Sequence, residues 1–138
     1  MPTGHTRDAG WQIGVSRTLP HPPEEVWELL TSPEGLSLWL GEGAEVTPER
    51  GTRWTATDGS HGEVRSFHPG DRIRVTCRPA GWNHETTVQV VVVPASDHRA
   101  SVRFHQERLA DGDERERQRT HWRHVMDRLE DALDAAPG

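Results

Sequence analysis

The chain has 138 residues, a formal net charge of −6, 32% hydrophobic residues and one cysteine. That length matches one domain, the acidity excludes a nucleic-acid partner, which needs a basic face, and a lone Cys77 excludes an internal disulfide and fits a reducing cytoplasm. No apolar run approaches the ~20 residues of a membrane span, and the first ten residues lack the apolar stretch of a signal peptide. The expectation is a cytoplasmic protein that touches no membrane.

Residues 1–10 read as a flexible tail ahead of a single domain over 11–136. Trp11 to Leu19 alternates as a first strand, with Trp11, Ile13, Val15 and Arg17 on one side. Pro20-His21-Pro22-Pro23 ends it and opens a helix, because proline at a first helical turn removes an N–H that has no partner anyway. Glu24 and Glu25 suit the positive helix start, and Val26, Trp27, Leu29 and Leu30 form its apolar stripe. Ser32 reads as the N-cap of a second helix with Pro33 at its first position. Leu36, Trp39 and Leu40 form the buried face of that helix, and Gly41 and Gly43 stop it.

Strands follow. Ala44 to Thr47 reads as a short one, Arg53 to Thr57 leads into the hairpin signal Asp58-Gly59, and Glu63 to Phe67 returns. After the turn Pro69-Gly70-Asp71, Ile73, Val75 and Cys77 alternate with Arg72, Arg74, Thr76 and Arg78, a half-buried strand with a charged outer face. Thr86 to Val93 is the most β-like segment, Pro94 to His98 turns, and Ala100 to Gln106 alternates again. Asp113, with Glu116 three residues on, reads as a capping box for the last helix. There Trp122, Val125, Met126, Leu129 and Leu133 make one stripe. The order predicts an α+β domain with an antiparallel sheet of six or seven strands around a long C-terminal helix. A lean core with six tryptophans fits a shell with an internal cavity.

Three patches resemble a known family. They are Pro23-Glu24-Glu25-Val26-Trp27 through Pro33-Glu34-Gly35-Leu36 to Trp39-Leu40, then Gly62-Glu63-Val64 through His68-Pro69-Gly70-Asp71-Arg72-Ile73, and then Val102 to Leu109 running into His121-Trp122 and Leu129. In that order they resemble the SRPBCC superfamily, with its START-like or Bet v 1-like helix-grip fold. Within it they resemble the branch named for the activator of heat-shock protein 90 ATPase. The resemblance implies a curved sheet gripping the last helix with a cavity between them, and no fixed catalytic set.

The cavity candidates are Trp39, Trp54, His68, Gln106, Trp122 and Met126. Trp39 and Trp54 stand at the cavity mouth of such a fold, whereas Trp122 serves equally as core. Gln106 shares the strand face of Val102 and Phe104, so its buried amide bonds either the backbone and last helix or a ligand. His68 ends a strand near the expected mouth and is the one histidine to watch for acid–base work. Trp82, in Ala80-Gly81-Trp82-Asn83, is a lid or a packed loop tip. Glu107 falls on the outer face. Cys77 reads as a small buried hydrophobe. His105, His121, His124 and Glu107 lack a metal motif, and Arg123 beside them repels a cation. No nucleophile triad, phosphate loop or dinucleotide fingerprint is present, so no catalytic residue, metal or cofactor is expected.

The reading is a helix-grip protein, monomer or homodimer, that holds a hydrophobic or amphipathic small molecule without turnover. The alternatives are a chaperone-associated or other protein-interaction module, and a polyketide cyclase- or dehydratase-like enzyme.

Overall fold

The computed structural model describes residues 5–6 and 10–135. The elements in chain order are β1 (His5–Thr6), β2 (Gly10–Leu19), α1 (Pro23–Thr31), α2 (Pro33–Trp39), β3 (Arg53–Thr55), β4 (His61–His68), β5 (Arg72–Cys77), β6 (Thr86–Ser96), β7 (Arg99–Leu109) and α3 (Gly112–Ala135). The strands form one antiparallel sheet in the order β1-β2-β7-β6-β5-β4-β3. It curves around α3 in the expected helix-grip arrangement. Of the expected tail, positions 1–4 and 7–9 lie outside the described residues, as does residue 136. His5 and Thr6 pair with Trp11 and Gly10 as a short edge strand instead of continuing a tail.

Ser32 joins the two short helices. Its Oγ accepts from Gly35 N at 3.1 Å and donates to Leu29 O at 2.6 Å, so one hydroxyl caps the start of α2 and the end of α1. Gly35 is required here, because a Cβ would run into the carbonyl oxygen of Leu29. Gly41, at φ 123°, then turns the chain out of α2.

Two expected elements differ. Ala44 to Thr47 forms no strand. The place beside β4 is taken by Gly51 and Thr52, which exchange hydrogen bonds with Val64 at 2.8 Å each, so 44–47 has no strand to pair with. The cap of α3 lies two residues before the expected Asp113. Asp111 Oδ1 accepts from Glu114 N at 2.8 Å, and Glu114 Oε1 accepts from Ala110 N at 3.0 Å. This is the reciprocal logic of a capping box on an earlier pair.

A bulge sets the inward face of β7. Strict alternation after Val102, Phe104 and Gln106 would turn Arg108 into the core. Between the pairs Trp11↔Leu109 and Ile13↔Gln106 the register slips by one residue, and Arg108 absorbs it at φ 66°. Arg108 is thereby exposed and Leu109 buried. A left-handed non-glycine residue costs of order 1–3 kcal/mol, less than an unpaired arginine in the core. The core lies between the inner sheet face, α1 and α3, and includes Leu19, Val26, Leu30, Ile73, Met126 and Leu129.

Candidate functional site

A stack of aromatic rings ties the second helix, the sheet and the last helix together. The Trp39 and Phe104 rings lie 6.0 Å apart, and Phe104 stacks on Trp122 at 4.6 Å with 18° between the planes. Trp39 Nε1 donates to Leu30 O at 2.9 Å, so its polar end is satisfied by the last turn of α1. Beside this stack is a cavity of about 390 Å³, within the usual range of small-molecule sites. Its inner wall is Trp39, Cys77, Val88, Gln106 and Trp122, all buried. Its rim is built from α2, the β3–β4 turn with Asp58 and Ser60, the loop with Pro79, Ala80 and Trp82, and Gln118, His121 and Arg128 of α3.

The loop over the cavity is held at both ends. Ala80 N donates to Ser60 Oγ at 3.0 Å, and Arg78 Nε donates to Trp82 O at 2.8 Å. Trp82 packs against the His84 ring at 5.2 Å, and His84 Nε2 donates to Glu114 Oε1 at 2.9 Å, fastening the loop to the first turn of α3. The half-buried Trp82 thus forms part of the rim.

Gln106 is the one polar side chain of the inner wall, and it is 1% exposed. The orientation of its amide follows from its neighbours. Indole Nε1–H of Trp122 can only donate, so the atom 2.9 Å away is Gln106 Oε1. Gln118 Nε2 donates to the same oxygen at 2.9 Å. Gln106 Nε2 then donates to Thr86 Oγ1 at 3.0 Å, while the Thr86 hydroxyl donates onward to Cys77 O at 2.6 Å. This buried chain links β5, β6, β7 and α3 and meets the demand that buried polar groups be paired.

Two titratable groups border the cavity with shifted properties. Burial pushes the Cys77 thiol up to about 12, with Asp58 and Glu85 adding to it, so it remains a neutral thiol at pH 7. The His121 imidazole is held below its usual range, first by desolvation and then by His124 and Arg128. Its ring packs on Trp122 with centroids 4.8 Å apart.

The six sequence candidates divide evenly. Trp39, Gln106 and Trp122 meet at the inner wall. Trp54 is buried over Gly62 and donates through Nε1 to Thr76 O at 3.0 Å, where a Cβ on residue 62 would block it. It borders a separate groove of about 420 Å³ with Arg53, His61, Arg65, Thr76 and Glu85. His68 is exposed at the far end of β4. Seven residue steps of strand separate it from His61 at the cavity end, about 23 Å at 3.3 Å per residue. Met126 is fully buried on the same stripe as Trp122 but does not border the cavity. Sequence reasoning passed over Gln118, His121 and Arg128 as lining. Gln118 was findable, since it lies one helical turn before Trp122 on the same face. His105 and Glu107 lie 3.5 Å apart on the outer face, away from this cavity, and His105 Nε2 donates to Gln12 Oε1 at 2.7 Å. Among the described residues no group of His, Cys, Asp and Glu is arranged to hold a metal ion, and no helix is long and apolar enough to cross a membrane.

The family model described as Activator of Hsp90 ATPase homolog 1-like protein matches residues 20–134. The chain belongs to that family. No curated protein sequence matches it. Among solved structures, a protein of Mesorhizobium loti superposes with a TM-score of 0.76 at 24% identity, covering 92% of this chain and 99% of that one. An HSP90 activator from Plasmodium falciparum gives 0.75 at 19% identity, covering 89% and 96%. The Aha1 dimer from Colwellia psychrerythraea gives 0.72 at 19% identity, covering 92% and 98%. At these identities the likeness of this chain to the three proteins is one of fold.

Proposed function

We propose that this chain binds a small hydrophobic or amphipathic molecule in the cavity between the sheet and α3, in the cytoplasm and without chemical turnover. The observation that carries this reading is the inner wall. Two indoles, a valine and a neutral thiol surround one buried amide, under a polar rim. Apolar side chains behind one fixed polar group are what small-molecule sites use for affinity and orientation. General acid–base work needs a group that titrates near the working pH within reach of the substrate. Of the titratable groups that line the cavity, Cys77 in the inner wall remains a neutral thiol, and Asp58, His121 and Arg128 stand at the rim, an arrangement that favours carriage over catalysis.

Intrinsic fluorescence tests the reading. Naphthalene-sized apolar probes should change tryptophan emission, and Trp39→Phe should remove part of that change. Trp54→Phe should leave it in place, because Trp54 borders the other groove. A complete lack of response in emission and in melting temperature across such probes would remove the main support for binding.

A second reading, a protein-interaction module working with a chaperone, is favoured by the family's description and by a charged outer groove. Arg65, Arg74 and Arg108 there surround Glu85, Thr76 and Thr87. Loss of co-purification with a chaperone on charge reversal at Arg74, with probe binding intact, would support it.

A further inference from the structure

The two amides at the end of the cavity are joined by half of the bonding that two amides can make. Gln118 Nε2 donates to Gln106 Oε1. The reverse bond, from Gln106 Nε2 to Gln118 Oε1, is not formed, and the donor of Gln106 instead serves Thr86 Oγ1. Each amide nitrogen carries two hydrogens. Gln106 therefore keeps one N–H in a wall where it is 1% exposed, and the half-buried Gln118 keeps a solvent-accessible carbonyl oxygen that accepts no hydrogen bond among the described residues. Both residues line the same cavity. An unused donor and an unused acceptor, on side chains already linked head to head, are a matched pair for one group that both accepts and donates.

A hydroxyl is such a group. It reproduces both bonds of a bridging water, so it loses no hydrogen bonding on displacing one. A carboxylate or an ammonium fits poorly, because the inner wall carries no charge to pair with it and an unpaired buried charge is strongly disfavoured. The rim carries one cation, Arg128, and one anion, Asp58. The rest of the inner wall presents the indoles of Trp39 and Trp122 with Val88, surfaces that favour a flat ring.

We propose that the cavity selects a neutral, planar aromatic alcohol whose hydroxyl accepts from Gln106 Nε2 and donates to Gln118 Oε1. This rests on the cavity reading above and adds the chemistry of the ligand to it.

Calorimetry on the full chain at pH 7.5 with three probes of one shape tests it: 2-naphthol, 2-methylnaphthalene and 2-naphthoate. 2-Naphthol should bind most tightly. Replacing its hydroxyl by methyl should weaken binding about 3- to 30-fold, the value of one or two neutral hydrogen bonds, and the carboxylate should bind weakest. Gln118 is half-buried on a helix, and Trp122 still satisfies Gln106 Oε1 without it, so Gln118→Leu should fold. In that variant the advantage of 2-naphthol over 2-methylnaphthalene should shrink toward 1-fold. Equal affinities for the naphthol and the methyl compound in the wild-type chain would overturn the assignment and leave an apolar cavity standing. So would a naphthol preference that survives Gln118→Leu in full. No binding of any of the three would overturn the cavity reading itself.

Discussion

The inward stripe of α3 does two different things along its length. Its C-terminal part, the dry flank, presents Val125, Met126, Leu129 and Leu133, all buried. Its N-terminal part, the wet flank, presents Gln118, His121 and Trp122 to a cavity that Arg128 also borders. The dry flank needs only apolar side chains that fill space at crystal-like density. The wet flank adds polar groups, with Trp122 and Gln118 both donating to Gln106 Oε1. Trp122 serves both, since its ring stacks on Phe104 while its N–H enters the amide chain. The wall of the cavity is thus fixed beside a well-packed core by hydrogen bonds among Thr86, Gln106, Gln118 and Trp122.

The sharpest way to break this comparison is to truncate one residue on each flank. Trp122→Ala should cost about 3–5 kcal/mol and Leu129→Ala about 2–5 kcal/mol, large fractions of the roughly 5–15 kcal/mol that holds a domain together. The two should differ in binding. Trp122→Ala should abolish the response to an aromatic probe, while Leu129→Ala, where it folds, should retain it. Denaturant titration and probe titration of the same samples measure both. Equal loss of binding in the two variants would show that the flanks are not separate.

The dry flank was legible in the sequence and the wet flank only in part, for a physical reason. The stripe from Trp122 to Leu133 follows the 3.6-residue period, and periodicity is the main structural signal a sequence carries. The same signal placed β2, β5, β6 and β7 and pointed Gln106 inward. The position of Arg108 was not legible, because one bulged residue resets the phase and alternation alone cannot announce it. Trp54 and His68 were assigned to the cavity mouth because hairpins flank it. His68 stands about 23 Å along β4 from the Asp58–Ser60 end that borders the cavity, whereas Trp54, paired with Gly62 near that end, turns its indole to Thr76 O and the neighbouring groove. The cavity also draws its lining from six segments of chain, and no local pattern links them.

A smaller effect should follow from removing the amide that holds the wall. Gln106→Leu keeps the volume close and strands the Trp122 N–H in a buried site, which should cost about 1–3 kcal/mol. A Thr86→Val companion removes the other partner of Gln106. The double variant should lose less than the sum of the two, because the same linkage is broken only once. Thermal unfolding of the four proteins measures the coupling. Strict additivity would show that the chain from Cys77 O to Trp122 does not act as a unit.

The smallest effect separates the flanks by pH. Met126 and Leu129 carry nothing that titrates, whereas the His121 imidazole on the wet flank is held below its usual 6.5, with desolvation the larger cause and His124 and Arg128 the lesser ones. His105 on the outer sheet face is also held low, by desolvation first and with Arg74 outweighed in rank by the opposing pull of Glu107. In the unfolded chain both rings take up a proton near pH 6.5; in the folded chain they do so only at lower pH. Unfolding therefore binds protons as the pH falls through 6.5, and the folded state loses stability there and regains it as the pH rises. The melting temperature should decline from pH 7 to pH 5.5, above the range where most carboxylates begin to protonate. His121→Asn should flatten that decline, and His105→Asn should flatten it by a separate, additive amount, since the two rings lie on different faces of the molecule. A melting temperature that rises on acidification over this interval would mean that these imidazoles gain, not lose, proton affinity on folding, and that the wall beside Trp122 is wetter than its packing indicates.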